Sequence, residues 1–141
     1  MKTYDPKKVM VQFGNRQITG FSSDSIISIT PNGEGVQKYV GADGEVQRAL
    51  DPDMTYNVEI TLANTSKSND YFSNCYNTDR TTGKGYKPLL IKDLSGETLF
   101  FASEAWVTNM PEFGRGRQIG EVSWTIATGA VEAPVLGGND E

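Results

Sequence analysis

Few residue types in this chain are suited to catalysis. The 141 residues include no histidine and one cysteine, Cys75. Histidine is the usual base beside a serine or cysteine nucleophile and a common zinc ligand, so His-dependent catalytic and zinc sites are excluded. Cys75 falls in an apolar stripe, which predicts a core thiol. A lone cysteine also forms no internal disulfide, as is typical of a reducing compartment.

Two short motifs resemble ligand sites. Asp51-Pro52-Asp53 has the spacing of a metal-binding pair, but proline fixes φ and the flanking aspartates accept local backbone bonds, which favours a turn. The segment 114–120 contains Arg115 and Arg117 between glycines, as phosphate-binding loops do, yet it precedes a strand and its glycine spacing differs from theirs. We therefore predict neither enzymatic activity nor a cofactor.

Charge and hydropathy limit the partners. The net charge is −5 and the pI about 4.7, which argues against a dedicated DNA-binding protein. Between residues 34 and 61 there are six acidic side chains and two basic ones. No apolar run reaches the roughly 20 residues of a membrane helix, and no apolar stretch follows the N-terminus. We expect no membrane anchor and synthesis in a cytosol.

The positions of turn residues predict a chain of short β-strands. A hairpin of 9–13 and 16–19 surrounds Gly14-Asn15, and strands at 26–30, 36–40 and 45–50 follow, separated by clusters rich in Gly, Asn and Asp. Further strands are expected at 86–93, 98–109 and 118–128, with Ser95-Gly96 as a turn. This pattern is typical of one mainly β domain, a β-sandwich or barrel, with arms at 1–7 and 130–141.

Strand 55–62 and one helix show the clearest periodicities. Residues 55, 57, 59 and 61 are polar and alternate with the apolar residues 56, 58, 60 and 62, which predicts one polar and one core face. Tyr71 with Cys75 and Phe72 with Tyr76 form i,i+4 pairs within a predicted helix at 66–76, capped by Thr65 or Ser66. We expect this helix on the outside of the sheet and a surface loop at 77–85.

Three segments carry a family resemblance. Residues 29–45 read ITPNGEGVQKYVGADGE, residues 56–63 read YNVEITLA and residues 121–126 read EVSWTI. In these segments, and over about residues 4–132, the chain resembles tail tube proteins of contractile-tailed (myovirus-like) bacteriophages. Their architecture is shared by the tubes of type VI secretion systems and contractile bacteriocins.

The resemblance implies a tail-tube fold, a β-sandwich or barrel-like domain with one short flanking α-helix. It also implies a structural virion protein, made in the host cytoplasm, whose hexameric rings stack into the inner tube of the tail. Its partners would be further copies of itself, the sheath protein, a baseplate or tube initiator and a tail terminator. Genomic DNA would pass through the lumen without specific binding. The alternatives are a tube initiator or tail-completion protein of the same fold, or a monomeric binding module.

Two sets of residues are candidates for the surfaces of such an assembly. The polar strand faces supply possible lumen-facing residues, although either face could instead lie between subunits or toward the sheath: Asn57, Glu59, Thr61, Glu121, Ser123 and Thr125. Charge complementarity supplies possible contacts between rings: Asp43, Asp51 and Asp53 with Lys84, Lys87, Arg115 and Arg117. Reversing Asp51 and Asp53 to lysine should impair stacking.

Overall fold

The computed structural model describes residues 1–23 and 26–138. It contains nine strands and one α-helix within these residues, after a short 3₁₀ turn at Pro6–Lys8. In chain order the elements are β1 (Val9–Phe13), β2 (Arg16–Gln17), β3 (Ile27–Pro31), β4 (Val36–Val40), β5 (Val46–Leu50), β6 (Tyr56–Ala63), α1 (Ser68–Thr82), β7 (Lys87–Asp93), β8 (Leu99–Val107) and β9 (Glu121–Thr128). The predicted strands are confirmed to within a few residues at their ends. Residues 139–141 of the predicted C-terminal arm lie outside the described part of the chain.

Seven strands form one antiparallel sheet in the order β2-β1-β7-β8-β9-β6-β3, and β4 and β5 pair only with each other. The sheet curls. If it were flat, β2 and β6 would lie about 24 Å apart, at about 4.8 Å per strand. Yet Phe21, four residues after β2 ends, already bridges Leu62 of β6. Four residues span at most about 14 Å, so the two ends of the sheet must approach each other. The expected mainly β, barrel-like domain with one helix is confirmed.

The concave face of the curled sheet holds the apolar core. Alternation places Val58, Ile60 and Leu62 of β6 on this face, all fully buried, as the periodicity of 55–62 predicts. Val122, Trp124 and Ile126 of β9 lie beside them. The side chains that alternate with these buried ones point to the convex face. That face is therefore available for contacts with other molecules.

The helix packs against the concave, core side of the sheet, so the prediction that it lies on the outside is wrong. Phe72 is fully buried, with ring centroids 5.7 Å from Phe13 and 5.4 Å from Trp124. The buried indole N–H of Trp124 donates to Asn69 Oδ1 at 2.8 Å. A curled sheet leaves its apolar concave face open on one side, and the stripe of α1 covers that opening.

The helix also runs beyond its predicted end at residue 76, so most of the loop predicted at 77–85 is helical. Thr81 and Thr82 donate their hydroxyls to the carbonyls of Asn77 and Thr78, four residues earlier. The helix ends where Gly83 adopts a left-handed conformation with φ 73°. The helix begins at Ser68, two residues after the predicted start, and its N-cap is Lys67, whose side chain makes no capping bond. Ser66, one of the two predicted caps, lies one residue earlier, where its Oγ accepts the N–H of Ser68 at 3.1 Å.

Candidate assembly surfaces

The β4–β5 hairpin is fully exposed. All ten residues of its two strands lie in the exposed class. Five of them are large apolar residues, each more than half exposed: Val36, Tyr39, Val40, Val46 and Leu50. An isolated two-stranded hairpin is at best marginally stable in water, and in the described part of the chain β4 and β5 pair only with each other. The hairpin is therefore suited to contact another molecule.

A cluster of hydrogen bonds holds the root of this hairpin. Asp51 accepts the N–H of Glu34 at 2.7 Å and that of Asp53 at 2.9 Å, so one carboxylate joins the segments entering and leaving the hairpin. Asp53 in turn accepts the N–H and hydroxyl of Thr55. The N–H groups of Asp53 and Glu34 hold the pKa of Asp51 below its ordinary value. The predicted turn at 51–53 is confirmed, and its carboxylates are bonded within the subunit.

At the tip of the hairpin, Asp43 accepts the N–H of Glu45 at 3.0 Å and Gly44 has φ 88°. The four cations proposed for ring contacts lie elsewhere. Lys84 follows α1, Lys87 begins β7, and the two arginines lie in the long connection between β8 and β9. Arg115 stacks over the ring of Phe113 at 5.2 Å, and Arg117 is exposed. Within residues 1–23 and 26–138 the structure does not bring these cations into ion pairs with Asp43, Asp51 or Asp53.

The two predicted lumen sets lie side by side on the convex face, because β6 pairs with β9. Glu59 is opposite Thr125, and Thr61 is opposite Ser123. Asn57, Glu59, Glu121 and Ser123 are exposed, and Thr125 is half-buried.

Thr61 is the exception, since only 5% of it is exposed. Its hydroxyl lies 3.2 Å from that of Ser123, and the chain at Ser22, which bonds the Thr61 carbonyl, crosses beside it. In the isolated subunit Thr61 therefore offers almost no surface to a lumen.

Sequence reasoning missed a third strand of this polar face. On β3, Ser28 pairs with Glu59 and Thr30 pairs with Asn57. The alternation of Ser28 and Thr30 with Ile27 and Ile29 indicates a strand with one polar side. The order of the strands was needed to show that this strand lies next to β6. We call the outward side chains of β3, β6 and β9 the polar face. Its charged members are Glu59 and Glu121, and these strands present no Lys or Arg on it.

The molecule also has a cleft of about 560 Å³ between the start of α1 and the β8–β9 connection, lined by Asn69, Met110, Phe113, Arg115 and Trp124 among others.

No group of three Cys, Asp or Glu side chains suited to a metal ion occurs in the described ranges. Burial raises the pKa of the Cys75 thiol, which agrees with the predicted core role. No helix in the described part of the chain is long and apolar enough to cross a membrane.

Comparison with known proteins identifies a relative by sequence. No protein-family model matches the chain. Structural protein ORF10 of Pseudomonas phage KPP10 is 32% identical over 133 residues, which cover 89% of this chain and 77% of that protein. The relative is a structural protein, and the expectation that the chain is not an enzyme is confirmed.

Solved structures show the same fold at low identity. A chain in the tube-terminating cap of the anti-feeding prophage is similar with a TM-score of 0.64 and 15% identity, covering 93% of this chain and 90% of that chain. A chain in the sheath/tube terminator of the PVC extracellular contractile injection system gives 0.59 and 17%, covering 93% and 96%. A chain in the PVC sheath–tube complex gives 0.59 and 16%, covering 94% and 93%. The tail-tube-related fold expected from the sequence is thereby confirmed.

Proposed function

We propose that this chain, which belongs to the family of phage structural proteins that includes ORF10 of Pseudomonas phage KPP10, forms a ring in the tube layer of a contractile phage tail. The exposed β4–β5 hairpin carries this proposal. Its five large apolar side chains are more than half exposed in the isolated subunit, as expected of a surface that becomes buried in an assembly. The resemblance to tail tube proteins implies six copies per ring.

Two positions of that ring in the tail are candidates. Two of the three solved structures described above are assemblies that end a tube, which favours a tube-completing ring over the repeating subunit expected from the sequence. The repeating subunit remains the second candidate, because the third similar structure is a sheath–tube complex. In either position the neighbours would be further copies of this chain or of the tube protein, together with the sheath. The protein would be made in the host cytoplasm and end in the virion tail.

The polar face is proposed to line the lumen. Its two carboxylates, Glu59 and Glu121, are unaccompanied by cations on β3, β6 and β9. Repulsion between carboxylates and phosphates lowers DNA affinity, so DNA would slide past such a surface without being held. Asn57, Ser123 and Thr125 would contribute hydrated polar groups, whereas Thr61 is covered.

Negative-stain electron microscopy over a concentration series tests the ring and its position. Closed rings that do not lengthen, and that cap preassembled tail tubes when added to them, would support the tube-completing role. Hollow tubes of uniform width that lengthen with concentration would support the repeating subunit. A strictly monomeric protein that neither caps nor extends added tubes would refute both.

Charge reversal tests the lumen assignment. In assembled particles, Glu59→Lys with Glu121→Lys should retain DNA fragments that the wild type releases, and the retention should weaken steeply with salt. Asp70→Lys with Glu112→Lys is the matched control, since both residues are exposed and lie off the polar face. Equal retention by the two variants would contradict the assignment.

A further inference from the structure

The two faces of the β4–β5 hairpin differ in chemistry. Side chains directly opposite each other in an antiparallel pair share a face. One face carries the pairs Val36–Leu50, Lys38–Arg48 and Val40–Val46, and the other carries Gln37–Ala49 and Tyr39–Gln47. We call the first the cationic face, because two positive charges lie between two apolar pairs.

The cationic face is unfavourable in isolation. Like charges directly opposite each other, about 5 Å apart at Cβ, destabilise a strand pair. Within the described ranges the only ion pair is Lys67 with Asp70, so Lys38 and Arg48 have no such carboxylate partner there. A carboxylate on another molecule would relieve the repulsion between Lys38 and Arg48. Apolar residues around that carboxylate would cover the flanking valines and Leu50. The complementary surface is therefore acidic at its centre and apolar around it.

The start of β8 and the segment after β9 form a surface of this kind. β9 pairs with β8 only at Ala105–Val107, and the following bond is from Gly129 N–H to the Glu104 carbonyl. The chain then leaves the edge of β8 and returns at Val135, which exchanges two backbone bonds with Leu99 at 2.8 and 2.9 Å. Beside this gap Phe101, which alternates with the buried Phe100 and Ala102, is half exposed.

Acidic side chains surround this gap. Phe101, Ser103, Ala130 and Glu132 line a shallow depression there. Glu104 is exposed at one end of it, beside Gly129, and Glu97 lies at the other end, close to Gly137. Of the two lysines of the neighbouring strand β7, Lys92 lies opposite the exposed Leu99 on this side of the sheet, whereas Lys87 pairs with the buried Ala105 and lies on the core side.

We call this region the acidic surface, and its apolar members are Leu99, Phe101 and Val135, each at least 43% exposed. Three carboxylates and one ammonium give it the opposite sign to the cationic face.

We infer that the cationic face of the hairpin of one subunit docks on the acidic surface of a second copy of this chain. Lys38 and Arg48 would meet Glu104 and Glu132, while the apolar pairs of the hairpin would cover Phe101 and its neighbours. This inference rests on the proposed function, which supplies the second copy. Because the two surfaces differ, the contact is heterologous and generates a ring or a stack rather than a closed dimer.

A charge exchange tests the contact, since every copy carries both surfaces. Reversing Lys38 and Arg48 to Glu, or Glu104 and Glu132 to Lys, should raise the concentration for half-maximal assembly at least about tenfold, which corresponds to about 1.4 kcal/mol. The variant with all four reversals should assemble near the wild-type concentration, because the signs are complementary again. Lys7→Glu with Arg80→Glu is the matched control, as both residues are exposed and lie outside the hairpin.

Cysteine cross-linking gives an independent readout of which residues meet. Arg48→Cys with Glu132→Cys should form intermolecular disulfides when assembled protein is oxidised with diamide, while the buried Cys75 stays unlinked. Arg48→Cys with Glu112→Cys is the control pair and should not cross-link.

The outcomes separate this inference from the proposed function. Suppose that wild-type rings or capped tubes form, but that the four reversals do not restore assembly and the cysteines introduced at positions 48 and 132 do not link. The docking inference is then overturned, and the ring proposal stands. Linking of position 48 to a sheath protein would also overturn it. If the wild type neither assembles nor caps tubes, both proposals fall.

Discussion

The hydrogen bond between Asn69 and Trp124 holds the helix on the sheet, and its removal should be costly. The Trp124 indole N–H donates to Asn69 Oδ1 at 2.8 Å, and Asn69 Nδ2 donates to the carbonyl of Ala63 at 3.0 Å. Both Asn69 and Trp124 are at least nine-tenths buried. Asn69→Ala would leave the indole N–H without its partner, at about 1–3 kcal/mol, and would also remove the second bond, worth about 1 kcal/mol. We expect a loss of about 2–3 kcal/mol in the free energy of unfolding, after allowing for the better helix propensity of alanine.

A double-mutant cycle measures the pairwise part of this effect. Trp124→Phe removes the donor, so adding Asn69→Ala to it should cost less than Asn69→Ala alone, with a coupling energy of about 1–2 kcal/mol. Urea unfolding followed by circular dichroism supplies the four free energies. An Asn69→Ala variant within about 0.5 kcal/mol of the wild type, or a strictly additive double variant, would refute this account of helix docking.

Three further predictions follow from single residues. The folded pKa of Asp51 lies below its unfolded value, so the stability from its two backbone bonds is complete above the ordinary pKa of 3.8 and is lost as the pH falls through the folded pKa. The protection factor of the Glu34 amide, which is its exchange rate corrected for the intrinsic pH dependence of exchange, should fall on acidification in the wild type and be low already at neutral pH in Asp51→Ala. Burial raises the pKa of the Cys75 thiol, so iodoacetamide at pH 8 should label it only after urea unfolding, and rapid labelling of the folded protein would contradict the core assignment. Gly83 ends α1 with a left-handed φ, so Gly83→Ala should lower the free energy of unfolding by about 1 kcal/mol, while Gly114→Ala, in open space, should leave it within about 0.5 kcal/mol of the wild type.

The sequence predicted the elements that have strong local periodicity. The alternation at 55–62 places Val58 and Ile60 in the core, and both are fully buried. The spacing of Phe72 and Cys75 likewise identifies the buried stripe of α1. The end of the helix was missed because residues 77–82 are polar and lack apolar periodicity. Their helical conformation is instead stabilised by hydroxyl bonds and by the left-handed Gly83.

Features that depend on contacts distant in sequence were not predictable. Thr61 follows the alternation of an exposed residue, but the chain at 20–22 crosses beside it to join the edge of β6. That crossing follows from the curl of the whole sheet. The neighbouring positions of Glu59, Thr125 and Ser28 likewise required the strand order. The exposure of the β4–β5 hairpin has no local signature, since residues such as Val36 and Leu50 are equally common in buried strands.

The orientation of the polar face in an assembled particle tests the central claim most directly. A cryo-electron microscopy reconstruction of assembled wild-type rings, or of tubes capped or extended by them, would locate β3, β6 and β9 relative to the axis. We expect closed rings in which Asn57, Glu59 and Glu121 point into the lumen. A reconstruction in which these side chains point outward, or lie buried between subunits, would contradict it.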